Sequence, residues 1–379
     1  MPLAPAFLSA TDQTVAVRTT REALPAAWRG IALLGAGHFV IELASSYALN
    51  RTLDATELGA GAVLAYNAVA FWGQVPLGLA ADRWRGARTL AVGGALLAIA
   101  GLALCGVAAW PVVLLIALGN GCYHVGGGAL TIERSAGRLG GLGLFVGPGA
   151  LGLTLGVGLA RMDFTATPWV LGAAAVGLAL AIGRLDGAAS AGGAWLQPNS
   201  LGGRRSADRL QAGSYLRSVV VVALVLACIA IRAFVGGGFG FAWGGSAAAA
   251  LAVASALAGG KIAGGFLADR FGWLRTTLVV LAFSVPALWF GRTAMPAGLA
   301  GVAFFQMPMA VTLGALVRTL PGRPGLAFGL ASAAVYLGGF PLLAGDVRLL
   351  HSFGGLCGLS LAAVVMLAAG MRGKAEKIG

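Results

Sequence analysis

Four ionisable residues stand inside long apolar stretches of this chain: His38, Glu42, His124 and Arg232. A charge near the centre of a bilayer costs roughly 2.5–3.5 kcal/mol on insertion scales, so a group kept there calls for a task. His38 and Glu42 are one helical turn apart and share a face, which Ser45 and Ser46 extend. A carboxylate so placed can take up and release a proton, with neighbouring imidazoles relaying or tuning the exchange. Arg232 has two readings: a charge that modulates Glu42, or a planar fork that grips a carboxylate or phosphonate. A fixed structural pair, or side chains wetted by a cavity, is the simpler alternative.

The elements that must position these groups are membrane helices. The chain has 379 residues, 58% hydrophobic and 10% charged, against about 25% charged in an ordinary soluble domain. Its mean hydropathy is +0.87. This composition excludes a soluble or disordered chain. Four cysteines inside apolar runs (Cys105, Cys122, Cys228 and Cys357) exclude a disulfide scaffold. Twelve apolar runs long enough to span a bilayer are predicted at 28–50, 58–81, 89–109, 110–133, 139–160, 167–185, 218–240, 244–268, 276–292, 296–317, 324–345 and 351–371. The third and fourth are divided only by Trp110-Pro111, and the seventh and eighth only by Gly-rich sequence.

The expected organisation is a polar, mobile tail (1–27) without a signal-peptide pattern, a six-helix bundle (28–185), a Gly- and Ser-rich linker (186–217), a second bundle (218–372) and a short tail (373–379). The net charge of +13 is assigned to the flanks of the spans rather than to nucleic-acid binding. With both termini in the cytoplasm, twenty Lys and Arg residues fall inside and four outside. A multi-pass protein of a bacterial-type inner membrane, monomeric, is the expectation.

An internal repeat fixes the architecture. Gly78, Asp82, Arg83 and Arg88 follow the second span, and Gly265, Asp269, Arg270 and Arg275 follow the eighth, at a constant gapless offset of 187. The halves are therefore parallel repeats of six spans. In each loop the Gly permits close helix approach, the Asp can accept from a neighbouring helix N-terminus, and the Arg residues anchor to an anionic surface. The same offset pairs Gln74 with Lys261 and sets Arg232 one turn beyond the counterpart of Glu42, across a shared axis.

These loops resemble the signature Gly-x-x-x-Asp-Arg-x-Gly-x-x-Arg of the major facilitator superfamily. The second copy fits, whereas the first has Arg85 where Gly is expected and Gly86 one place late. The resemblance implies twelve helices in two bundles around a central cavity that opens alternately to each side. It also implies that Asp82 and Asp269 latch the cytoplasmic side and that His124 lies beside the cavity. In the fifth span Gly143, Gly147, Pro148, Gly149 and Gly152 are similar to a Gly/Pro motif of the superfamily's proton-coupled drug exporters; simple small-residue packing is the alternative. His38-Phe39-x-x-Glu42 and Tyr123-His124 are similar to segments of fosmidomycin-resistance-type exporters. There the acid is usually Asp and Pro usually follows the second His; here they are Glu42 and Val125.

Further candidates for a cavity wall are Asn67, Gln74, Asn120, Tyr123, Lys261, Gln306 and Tyr336, with Phe305 beside them. Lys261 either snorkels to the cytoplasmic side or meets substrate. No Gly-x-x-x-x-Gly-Lys-Ser/Thr is present, the His and Cys residues lack metal-ligand spacing, and Gly126-Gly127-Gly128 lacks a strand context. No enzyme activity, cofactor or metal is expected. The expected partners are a small-molecule substrate, protons and the lipid bilayer, with no nucleic acid. The functional expectation is a secondary active transporter driving proton-coupled efflux. The alternatives are an uptake symporter or facilitator of an organic anion, and a non-transporting sensor or assembly protein on the same fold.

Overall fold

The computed structural model describes residues 10–56, 58–162, 165–185, 207–343, 345 and 347–375; side chains are described within these except at 10–25, 207–214, 343, 348 and 372–375. Twelve helices occupy the described residues. The first bundle holds α1 (Ala10–Asp54), α2 (Gly59–Trp84), α3 (Ala87–Ala103), α4 (Ala109–Arg134), α5 (Leu139–Ala160) and α6 (Thr167–Gly183). The second holds α7 (Ala207–Gly238), α8 (Ala247–Phe271), α9 (Trp273–Gly291), α10 (Met295–Thr319), α11 (Pro324–Leu343) and α12 (Phe353–Ala375). Ten are long and apolar enough to cross a membrane; α3 and α6 are shorter apolar helices. Helix is the form that satisfies every backbone polar group within one apolar segment. Proline stands in the first turn of α6 and α10, where its missing N–H breaks no helical bond.

Helix ends differ from the expected ones in informative places. The boundary between α3 and α4 is not at Trp110-Pro111, which lie in the first turn of α4; it is the turn at 104–108, where Gly106 takes φ +87°. Helix α1 begins at Ala10 and so takes in much of the segment read as a tail, and α7 begins at Ala207 inside the expected linker. Residues 1–9, 186–206 and 376–379 of the expected tails and linker lie outside the described residues. Two helices are interrupted. Helix α2 passes through a π-helical turn, Ala68–Trp72, and α10 breaks at Met307-Pro308. Both changes free backbone carbonyls in the middle of a span.

Within the first bundle α1 packs on α5 and α4, and α3 on α4 and α6; within the second α7 packs on α11 and α12, and α9 on α10. The bundles meet along two seams, α5 against α8 and α2 against α11. These seams are equivalent under the repeat, since α8 and α11 are the counterparts of α2 and α5. Both are close because glycine lines them. A Cβ added at Gly143 would stand 2.4 Å from the carbonyl oxygen of Lys261, and one at Gly78 would stand 2.3 Å from that of Gly325. Large apolar side chains such as Leu96, Trp169, Val176 and Phe283 cover the outside of the bundles, as a lipid-facing surface requires.

Candidate functional site

Glu42 lies at the meeting of α1, α4 and α5. Its Oε1 is 3.1 Å from His124 Nε2 and 3.7 Å from His38 Nε2. The other ring nitrogens face backbone carbonyls: His38 Nδ1 is 2.8 Å from the oxygen of Phe145, and His124 Nδ1 is 2.8 Å from that of Asn120. A carbonyl only accepts, so each Nδ1 donates. If both rings are neutral, each Nε2 then turns a lone pair toward an ionised carboxylate, and the three facing atoms are all acceptors. A positive charge shared among them removes the conflict, and the smallest is a proton. The three ligating atoms lie within 4.8 Å of one another, a grouping also able to share a metal ion. The sequence points to these three residues for proton chemistry and to no metal; their spacing along the chain does not show that their ligating atoms meet across helices.

The surrounding sequence explains the convergence. Gly149 of α5 leaves the place His38 occupies: an added Cβ would stand 2.4 Å from its Nε2. Gly152 brings α5 against the carbonyl of Phe39. The buried Tyr123 hydroxyl donates to Leu34 O at 2.8 Å and ties α4 to α1. The His38 and His124 rings meet edge to face at 4.4 Å, and His38 stacks on Phe145 at 5.0 Å. Phe328 of α11 packs edge-on against Phe145 at 5.8 Å, so the second bundle touches the cluster's aromatic wall. Tyr66 of α2, which the sequence did not single out, is buried within electrostatic range of Glu42. Its signal was a hydroxyl beside Asn67 in an otherwise apolar run.

Arg232 does not pair with Glu42. It is buried on α7, its Nη2 donates to Phe305 O at 2.6 Å, and its guanidinium stands 5.5 Å from the centre of the Phe305 ring. The break at Met307-Pro308 leaves that carbonyl at the end of a half-helix, where the dipole favours a cation. Its Nε has no hydrogen-bond partner, and among the described residues no carboxylate lies within 4.0 Å of it. Lys261 of α8 is within electrostatic range of both Glu42 and Arg232, which places it toward the centre rather than at the membrane edge.

Beyond Arg232 lies a cavity of about 610 Å³, lined among others by Thr154, Gly236, Phe239, Leu288, Phe305 and Gln306. Of the remaining wall candidates, none lines it. Tyr123 is wholly buried in the first bundle. Asn120 is buried behind His124, and Asn67 donates to Val63 O within α2. Gln74 is buried at the α2–α11 seam with its Oε1 unpartnered, and Tyr336 stacks on Phe71 at 6.2 Å across the same seam.

The repeated loops close the other end of the molecule. Asp82 accepts 2.8 Å hydrogen bonds from the N–H groups of Gly325 and Leu326 at the start of α11. Asp269 accepts 2.8 Å bonds from those of Leu139 and Gly140 at the start of α5. Gly265, like Gly78, makes the approach possible: a Cβ there would meet Leu139 O at 2.5 Å. Arg83, Arg270 and Arg275 are exposed and Arg88 is half-buried. The missing Gly of the first loop has a conformational consequence, since Arg85 takes φ +52° at the place where Gly272 takes φ +90°. In α5, Gly143 and Gly147 face α8, Gly149 and Gly152 face α1, and Pro148 lies inside the helix between them.

No protein-family model and no curated protein matches the sequence. Among solved structures, the chain is similar to a variant of the E. coli fucose:proton symporter FucP, at 15% identity and a TM-score of 0.59 over 90% of this chain and 96% of that one. It is also similar to the human organic anion transporter MFSD10 (TETRAN), at 17% identity and a TM-score of 0.57 over 92% of this chain and 99% of that one. The fold is that of the major facilitator transporters: twelve helices in two six-helix bundles.

Proposed function

We propose that the chain is a secondary active transporter, not an enzyme, which moves a small organic solute by alternating access and couples it to a proton held by His38, Glu42 and His124. The observation that carries this reading is the convergence of His38 Nε2, His124 Nε2 and Glu42 Oε1, three acceptor atoms when the rings are neutral, which a shared proton would reconcile. The groups facing Glu42 are His38 on its own helix and His124 on α4, with Tyr66 on α2 and Lys261 on α8 within electrostatic range. The Asp82 and Asp269 contacts act as latches of the end that carries most of the Arg residues, taken as cytoplasmic. With that end closed, the cavity lined by Phe239 and Gln306 is the outward vestibule.

Export is the proposed direction, because His38-Phe39-x-x-Glu42 and Tyr123-His124 are similar to segments of fosmidomycin-resistance-type exporters. Uptake by symport is the second reading, favoured by the cavity lying on the side opposite the latches. Growth of cells expressing the native chain, measured against a panel of toxic organic compounds, separates the two: export gives resistance and uptake gives sensitisation. Either effect is expected to vanish with Glu42→Gln. A Glu42→Gln chain that transports against a gradient like the native one contradicts proton coupling at this residue.

A further inference from the structure

Among the described residues, two cations in the middle of the molecule have no carboxylate within 4.0 Å. Arg232 is more than nine-tenths buried, its Nε is unpartnered, and its one described hydrogen bond goes to a neutral carbonyl. Lys261 also lacks a carboxylate within 4.0 Å among the described residues. Glu42, the acid within electrostatic range of Lys261, is already shared by two imidazoles. A buried charge left unpaired is costly, and a half-helix end offsets only part of that cost.

Neither cation is itself in the wall of the cavity of about 610 Å³, but each lies one helical turn from a residue that is, Arg232 from Gly236 and Lys261 from Leu257. The partner of Arg232, Phe305, lines the cavity with the neighbouring Gln306. No acidic residue lines it, and its walls carry Phe239, Phe241, Leu288, Val302 and Phe305. The volume suits one small organic molecule, and the wall chemistry suits an aromatic or apolar body.

We infer that the ligand of this cavity is a small organic anion, its carboxylate or phosphonate held by Arg232 with Lys261 as the second positive charge, and its apolar body held against Phe239, Phe241 and Phe305. This rests on the transporter reading and deepens it by assigning the substrate class. Planar guanidinium nitrogens accommodate two anionic oxygens at once, and the cost of burying Arg232 falls when the anion arrives. The anion then ties the second bundle to its solute while Glu42 holds the proton on the first.

The test is the thermal stability of the detergent-solubilised full chain at constant ionic strength with benzoate and phenylphosphonate, against the near-isosteric benzyl alcohol, benzamide and benzylamine. The two anions are expected to raise the midpoint, and the neutral and cationic probes to leave it unchanged. Arg232→Gln is expected to weaken phenylphosphonate binding on the order of 10- to 100-fold, with Arg232→Lys intermediate. If Arg232→Gln does not fold, Lys261→Gln and the native chain's preference for anions over neutral probes carry the decision. Stabilisation by no anion, equal stabilisation by neutral probes, or undiminished phenylphosphonate binding in Arg232→Gln overturns the inference. The two readings fail separately: Glu42→Gln is expected to keep anion binding while losing gradient-driven transport.

Discussion

Asp82 and Asp269 stand 187 residues apart and perform one structural act twice: each carboxylate leaves its own bundle and caps two N–H groups in the first turn of a helix of the other. Both bonds in each cap are 2.8 Å, and both helix starts carry the positive end of the dipole. The same end of the two-bundle assembly is therefore closed, in both halves, by a carboxylate on backbone amides, with Arg323 within electrostatic range of Asp82 and Arg318 of Asp269.

Replacing Asp82 with Ala is expected to weaken that closure by about 1 kcal/mol, the usual worth of an N-cap. Hydrogen exchange reads it directly. The amides of Gly325 and Leu326 exchange faster in Asp82→Ala, and those of Leu139 and Gly140 respond to Asp269→Ala. Unchanged exchange at both pairs contradicts the capping role.

Arg85 holds a left-handed backbone conformation without a glycine's freedom. Arg85→Gly is expected to stabilise the chain by about 0.5–1 kcal/mol, and Gly272→Ala at the equivalent turn to destabilise it by about the same amount. Thermal denaturation of the two variants checks the opposite signs.

Gly149 leaves the space that His38 fills. A methyl in Gly149→Ala pushes the ring away from Glu42, so the pH profile of transport is expected to change while the melting temperature stays close to that of the native chain. A profile that matches the native one places His38 outside the proton's path.

Along the α5–α8 seam, Gly143→Val drives a side chain into the backbone of Lys261. Over-packing of this kind costs about 1–3 kcal/mol or more, whereas Gly158→Ala meets open space and is expected to be neutral or slightly stabilising. Comparing the two melting temperatures separates seam contact from general helix propensity.

Much of the architecture was legible in the sequence because it is written in local signals. Apolar runs of span length, Arg at their ends and a gapless repeated loop give twelve helices and two related halves without any long-range contact. The breaks at Ala68–Trp72 and Met307-Pro308 were not legible. A π-turn leaves no compositional mark, and one proline among many does not say which carbonyl it frees. The site was half legible. His38, Glu42 and His124 were each singled out as ionisable groups in apolar runs, but that His124 reaches Glu42 from α4 was not legible, since spacing along the chain does not see across helices. Arg232 was found as a buried charge with two readings, and its contact with Phe305 O was not legible, since the repeat relates depths in the membrane but not the direction a side chain takes. Tyr123 looked like a wall residue and is a strut, because an aromatic hydroxyl can be satisfied by one backbone carbonyl inside a bundle.

The central claim is that His38, Glu42 and His124 exchange a proton as one unit. Infrared difference spectra of the purified full chain between acidic and alkaline pH test it most directly, through the carboxyl stretch and the imidazole bands. The account predicts a protonation signal in the native chain that disappears in Glu42→Gln and shifts in His124→Asn. Spectra of the native chain and Glu42→Gln that superimpose would contradict it.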